Sequence, residues 1–419
     1  MILFLLILFT FLLCEYYCYK TCITPFFVIG IVYFFSVPFV NFIGPKLGYY
    51  KINDFSILLY TLYLSLIFFS NILSKIRVHQ CRYNDRSNTI FIRQQKIIWY
   101  AFCLFLFGYF LSFLQAVKIY GLSNIKGKSN GIFGHMGLAC VSVSPLIVLL
   151  VYEVKKIKYF IGILSFYIIM LLFGGKSYIF ISIITSAILL NNQHKMTIKK
   201  LIQLGTFLAS IAVIIFVTIY ALIPCIKTEN MDILAIYTCV KESLQHLFYY
   251  YSAPFLSSNT YFIMPIKEGI LTGLRIMFAP IVSLYECILG NKEYPNIIMK
   301  EWASISESAH STITNVGGLF SESVFHIGYF YSFIYICIIC LYANTIYYIS
   351  RRTNCFRASA SLAIALLGLC FFSNYFTLLS VLEIIVYLIL FEGILFLLEK
   401  RKVYIKDWRF KKTWKNVKL

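Results

Sequence analysis

Charge is scarce in this chain. Only 13% of the 419 residues are Asp, Glu, Lys or Arg, about half the share of a soluble domain. Hydrophobic residues reach 60%, so a soluble globular protein and a disordered chain are both excluded. Proline is sparse at 9 and glycine stands at 21, which excludes a collagen-like chain. Acidic residues are the scarcest charged class, 17 against 37 Lys and Arg, for a net charge of +20. In a soluble chain that surplus would suggest nucleic acid. In a chain this apolar, basic residues mark the cytoplasmic ends of membrane helices, and no nucleic-acid partner is expected. No Walker A, GxGxxG or HExxH pattern occurs, so an ATP-driven pump and a nucleotide-sugar enzyme are disfavoured. Cysteine, at 13, is not scarce. Most cysteines lie in apolar runs, where the residue behaves as a small hydrophobe. Cys337-Ile-Ile-Cys340 and the series Cys14, Cys18, Cys22 have near-ligand spacing but no partner histidine. Neither a metal nor a cofactor is expected.

What the chain has is long apolar runs. A spanning helix needs roughly 20 apolar residues. Candidate segments fall at about 1–14, 25–44, 54–74, 97–117, 133–152, 159–173, 178–192, 201–224, 322–349, 358–374 and 377–398. The expected fold is an all-α polytopic membrane protein of about 11 helices. The first run has no basic residue before it and no small-x-small cleavage site, so it reads as a membrane segment and not a signal peptide. Charge then sets orientation. The tail 399–419 carries nine Lys and Arg and is placed in the cytoplasm. Counting back, loop 75–96 falls on the same side with Lys75, Arg77, Arg82, Arg86, Arg93 and Lys96. So do Lys155, Lys156 and Lys158; Lys195, Lys199 and Lys200; Arg351, Arg352 and Arg357; and Lys20. The N-terminus is expected outside. Four regions result: helices one to eight with short loops over 1–224, one large external loop over 225–321, three helices over 322–398, and the basic tail 399–419.

Loops as long as 225–321 are usually functional. Its apolar stretches 244–256 and 269–289 contain Pro254 and Pro280 and scattered charge, and read as amphipathic or re-entrant helices. Cys225 and Cys239 lie on the oxidising side, where a disulfide and two thiols are both open. The aromatic run Phe248 to Tyr251 reads as interfacial aromatics.

Three constellations carry polar chemistry. Gly174-Gly175-Lys176-Ser177 forms a tight turn between two short apolar runs at the external face. Lysine at membrane depth is costly unless it meets water or an anion. A helix N-terminus behind two glycines suits a phosphate; a plain hairpin turn with a snorkelling Lys176 is the other reading. The second constellation runs from Glu307 to Gly328, where the external loop re-enters the membrane. It collects His310, Asn315, Glu322 and His326. Glu322 and His326 are four apart and share a helical face. Glu322, His326 or His310 could act as general base, or the group could be interfacial residues facing water. The third is Arg275, an external guanidinium able to grip phosphate in a fork, or a surface residue. His135 at the start of the fifth run reads as an interfacial histidine.

The layout resembles the oligosaccharide repeat-unit polymerases, the O-antigen polymerase or Wzy-type family. Members have ten to fourteen spans and one large periplasmic loop in the second half. They also have a central hairpin with a Gly-Ser-Arg-like turn, and, after the loop, an Asn-containing segment followed by an acid and a hydrophobic-Gly pair. Here the turn is Leu172-Phe-Gly-Gly-Lys-Ser177, with Lys176 where the family usually has Arg. The later segment is Thr314-Asn315-Val-Gly-Gly-Leu-Phe, then His326-Ile-Gly328, with His326 where an acid is common and Glu322 one turn earlier. The resemblance implies a GT-C-like membrane glycosyltransferase using undecaprenyl-diphosphate-linked oligosaccharides as donor and acceptor in the bacterial inner membrane. A chain-length regulator protein is the implied partner. By that resemblance Glu322, His326 and His310 are the catalytic candidates. Lys176, Arg275, Lys267 and Ser177 would hold the diphosphate, and Asn315, Gly174 and Gly175 would contact substrate. An O-antigen ligase sharing the layout, a lipid-linked oligosaccharide flippase and a dolichyl-phosphate-type transferase are the alternatives. The long external loop disfavours the flippase. The absence of an acid in 45–53 disfavours the dolichyl-type enzyme.

Overall fold

The computed structural model describes residues 1–76, 89–121, 124–125, 127, 131–194, 199–200, 233–264, 269–290, 302–309, 311–353 and 355–416, with isolated positions between 203 and 217. Among them the chain is a multi-pass, all-α membrane protein. In order, the helices are α1 (Ile2–Tyr19), α2 (Pro25–Ile43), α3 (Asp54–Ile76), α4 (Thr89–Arg93), α5 (Gln95–Tyr120), α6 (Gly131–Val154), α7 (Ile157–Leu172) and α8 (Lys176–His194). They continue as α9 (Ile233–Leu256), α10 (Ser258–Tyr261), α11 (Ile270–Met277), α12 (Ala279–Ile288), α13 (Leu319–Thr353), α14 (Arg357–Leu369) and α15 (Leu379–Asn416). A two-stranded sheet pairs β1 (Ala303–Ser304) with β2 (Ile313–Thr314) antiparallel.

Seven of the described helices are long and apolar enough to cross a membrane: α1, α2, α3, α5, α6, α13 and α15. Every segment expected from sequence coincides with a helix except 201–224, which lies outside the described residues apart from isolated positions. The lower count has a physical cause. Helices α7 and α14 have 16 and 13 residues. At 1.5 Å per residue, α14 is about 20 Å long, short of the roughly 30 Å hydrocarbon core. Helix α8 is diluted by Ser182, Thr185, Ser186, Asn191, Asn192 and Gln193. Helices α11 and α12 meet at an 85° bend, in the stretch read from sequence as amphipathic or re-entrant.

Local sequence explains the helix ends. Thr24 caps α2 by accepting the Phe27 N–H at 3.1 Å, and Pro25 follows at the first helical position, where its missing N–H costs nothing. Helix α7 closes in a Schellman turn: Gly175 N–H bonds Met170 O and Gly174 N–H bonds Leu171 O, both at 2.9 Å. Gly174 stands at φ 79°, which a side chain would strain.

The chain divides into two compact units. The first comprises 1–73, 194–341 and 366–379; the second comprises 74–193, 342–365 and 380–419. The first is built on aromatic packing. Tyr33 of α2 lies 5.1 Å from the Tyr60 ring of α3, 5.4 Å from Phe255 of α9 and 5.3 Å from Phe320 of α13. At one end Glu15, fully buried, accepts from Thr24 at 2.6 Å and from the Asn71 amide. At the other, the 44–53 loop meets the 302–314 hairpin: Tyr50 N–H bonds Ile305 O at 2.9 Å and Ser306 donates to Gly48 O at 2.6 Å. Asn259 donates to Lys51 O at 2.7 Å. These are the loops that charge counting places together outside.

In the second unit, too, contacts join ends that charge counting groups together. Arg93 pairs with Glu399 at 2.9 Å, Arg357 donates to Gln193 at 2.7 Å, and the Tyr159 hydroxyl bonds Gln95 at 3.1 Å. Each joins ends expected in the cytoplasm. Gly127 N–H to Phe173 O at 3.0 Å and Tyr178 to Ser380 at 2.7 Å join ends expected outside. The carboxylate of Glu392 on α15 caps α14, accepting Ala358 N–H at 2.9 Å and Ser359 N–H at 2.8 Å.

Candidate functional site

The first unit gathers the polar segment 315–328. Helix α13 is two helices in sequence. It breaks at Gly328, whose φ 69° and ψ 178° lie in a region that only glycine occupies readily. The piece before the break, residues 319–327, carries Glu322 and His326 on one face, both under 9% exposed. Phe320 anchors it, stacked on Tyr63 at 5.2 Å. A carboxylate and an imidazole buried in a membrane protein are costly, and are retained chiefly where they do work.

The backbone around this half-helix is not helical. The expected helix 358–374 ends at Leu369, and 370–378 runs as irregular chain with a 3-10 turn at Tyr375–Thr377. Cys370, Asn374 and Tyr375 in it are buried. Leu319 N–H bonds Cys370 O at 2.8 Å, and the Asn374 side-chain oxygen Oδ1 accepts the Phe376 N–H at 3.3 Å. A methyl at Gly318 would lie 2.5 Å from Phe371 O, so the two backbones touch. The aromatic run 248–251 has a packing role: Tyr251 bonds Ser36, and its ring lies 6.0 Å from Phe371. Irregular backbone is tolerated in a membrane only where it is buried in protein or lines a polar cavity.

Asn374 exchanges hydrogen bonds with the Tyr335 hydroxyl at 3.2 and 3.4 Å. Glu322 is within electrostatic reach of that hydroxyl and of the Cys370 thiol. Sequence reading missed Asn374 and Tyr335. The available signal was the polar pair Ser373-Asn374 interrupting an apolar run.

Helix α11 completes this patch. A Cβ at Gly273 would sit 1.9 Å from the His326 carbonyl oxygen, so α11 packs directly on the end of the half-helix. Two residues on, Arg275 lies 3.7 Å from Glu286 of α12 with its side chain 59% exposed. Arg275 thus shares α11 with Gly273, while its guanidinium lies by Glu286. Asn315 follows β2 and is half-buried. His310, Lys267 and Cys225 lie outside the described residues.

The second unit holds Gly174, Gly175, Lys176 and Ser177. The glycines have a structural cause. Gly174 supplies the Schellman turn, and the space beside Gly175 is filled by Met170, whose sulfur would lie 2.4 Å from an added Cβ. Lys176 opens α8 and is half-buried, as is Ser177. In the same turn Tyr178 bonds Ser380 of α15. One turn along α15, Glu383 accepts from His135 Nδ1 at 2.6 Å. This carboxylate–imidazole pair is separated by 248 residues in sequence, so no local motif announces it.

A family model described as a Family of unknown function (DUF6337) matches residues 121–404, a stretch that contains both patches. The chain belongs to that family. No curated protein and no solved structure matches it.

Proposed function

We propose that this family member is a membrane glycosyltransferase that polymerises undecaprenyl-diphosphate-linked oligosaccharide repeat units into surface polysaccharide. It acts on the outer face of the bacterial inner membrane, with its N-terminus outside and its C-terminus in the cytoplasm. The observation carrying this reading is the half-helix 319–327. It carries a buried carboxylate and a buried imidazole just after the long 225–321 segment, and its first residue bonds the irregular backbone at Cys370.

The chemistry asked of the site is simple. The acceptor sugar hydroxyl loses its proton to Glu322, with His326 beside it as the second proton carrier. The oxygen attacks the anomeric carbon of the donor, a new C–O bond forms, and the bond to the diphosphate breaks. The lipid diphosphate leaves with the electron pair. Arg275, able to fork onto two phosphate oxygens, is assigned to that charge, with Lys267 as a further cation. Lys176 and Ser177, on the first turn of α8, are assigned to the phosphates of a lipid-linked substrate; Asn315 is assigned to sugar hydroxyls.

Gene deletion with gel analysis of surface polysaccharide tests the reading. The expected result is loss of the ladder with single repeat units still attached. Loss of every repeat unit from the surface would point to a flippase or a ligase instead. On the same gel Lys176→Arg should keep the ladder, because the charge survives. Lys176→Glu should abolish it, since a carboxylate would repel the phosphates of a lipid-linked substrate. A wild-type ladder from Lys176→Glu at matched protein level would remove Lys176 from the phosphate site.

A further inference from the structure

Helices α11 and α12 of the first unit are together long and apolar enough to form a broken span or a re-entrant loop. Their geometry decides between the two. Helix α11 has 8 residues and α12 has 10, about 12 and 15 Å at 1.5 Å per residue. Bent by 85°, they do not add along one axis to the roughly 30 Å of hydrocarbon. The pair enters the membrane layer without crossing it.

Contacts with α13 fix its direction. Gly273 packs on the His326 carbonyl, and Phe278, at the bend, sets its ring edge-on to Tyr335 at 5.4 Å. Tyr335 lies beyond the Gly328 break, about 10 Å further along the span. Helix α11 therefore descends beside α13, and the bend lies below the level of the half-helix. Helix α12, at 85° to α11, then runs nearly in the plane of the membrane.

The residues of the pair sort by face. Ile276, Met277, Ala279 and Ser283 are buried, and both helices pack on the 3-10 turn at Tyr375–Thr377. Glu286 also turns inward, 3.7 Å from Arg275, and braces the bend. The opposite face of α12 carries Ile281, Leu284, Tyr285 and Ile288, between 52% and 76% exposed. That spacing makes one helical stripe. The outward stripe of α13 on either side of Tyr335 has the same character: Phe330, Ile334, Ile338 and Leu341 are all exposed, as a spanning helix in lipid requires. An apolar stripe at this level matches acyl chains, and a tyrosine within it suits the headgroup boundary.

We infer that α12 is an in-plane helix whose Ile281, Leu284, Tyr285 and Ile288 face docks on the acyl chains of the surrounding phospholipid leaflet. In the orientation set by charge, this is the outer leaflet. The inference holds whether or not the chain polymerises sugars.

The test is photolabelling of the full-length protein with a small lipid-soluble aryl diazirine, mapped residue by residue by mass spectrometry. The protein is held at one copy per phosphatidylcholine nanodisc, and in parallel at many copies per phosphatidylcholine vesicle. Ile281, Leu284, Tyr285 and Ile288 should be labelled in both, as Phe330 and Leu341 are, while the exposed Glu307 of the external hairpin stays unlabelled. In the double variant Leu284→Asp, Ile288→Asp, label at Tyr285 should fall about tenfold or more, because the stripe no longer favours the acyl layer. Unchanged label at Phe330 and Leu341 shows that the variant is folded. An unlabelled α12 stripe in single-copy discs would overturn the inference, as would label on Glu307 equal to that on Leu284. Label lost only in the crowded vesicles would assign the face to a second copy of the chain instead. Wild-type label at Tyr285 in the folded double variant would also contradict it.

Discussion

Glu322→Gln should lower polymer formation by about 10²–10⁴-fold while the protein inserts and accumulates as wild type. That range is what a positioned general base contributes. Glutamine keeps the length and the hydrogen-bonding oxygen of Glu322 and removes only the ability to take a proton. Glu322 is 4% exposed in the half-helix 319–327, so its charge sits in a medium that disfavours it. Because glutamine keeps the size and the accepting oxygen, the folded protein should still accumulate near the wild-type level. The two readouts therefore separate. A structural carboxylate would lose protein level with activity, whereas a proton acceptor loses activity alone. Chain length on a gel, divided by membrane protein level, is the measurement. Full polymer from Glu322→Gln would pass the role of base to His326 or His310.

The second large effect is structural. Gly273→Val should collapse the amount of folded protein, and Gly273→Ala should lower it measurably. An added Cβ would lie 1.9 Å from the His326 carbonyl oxygen. Both partners are backbone, so no side chain can swing aside. Helix α11 must back away from the Gly328 break, and overpacking of this kind costs typically about 1–3 kcal/mol. That is a large share of a native stability of about 5–15 kcal/mol. The control is Gly393→Ala on α15, where the new methyl meets only Phe356 at 4.0 Å. Alanine there should be neutral or stabilising by about 0.5–1 kcal/mol. Detergent-solubilised thermal unfolding ranks the variants. Equal melting temperatures for Gly273→Val and Gly393→Ala would refute the direct backbone packing of α11 on the half-helix.

The helices were legible in sequence because lipid imposes one rule on every spanning segment, a long apolar run with its backbone bonds satisfied internally. Lysine and arginine suggest which loops share a side, and the loop contacts within each unit join loops that this count groups together. The breaks were not legible. Gly328 sits in Phe-His-Ile-Gly-Tyr-Phe, a sequence that an unbroken helix would also tolerate. The early end of α14 depends on Leu319 bonding Cys370 O, a contact 51 residues away in the chain. The Gly174-Gly175 pair was visible, yet its cause is the Schellman turn and the Met170 side chain, which only three dimensions reveal. Glu322 and His326 stood out by polarity alone. Their companions Tyr335 and Asn374 did not, since a tyrosine and an asparagine in a membrane chain become informative only when they are buried against each other.

The most direct test is reconstitution. Purified full-length protein in lipid vesicles is given undecaprenyl-diphosphate-linked repeat units and no nucleotide sugar. The account predicts a ladder of polymer still attached to the carrier, with one undecaprenyl diphosphate released for each linkage formed. Repeat units that remain single, with no undecaprenyl diphosphate released, would contradict it.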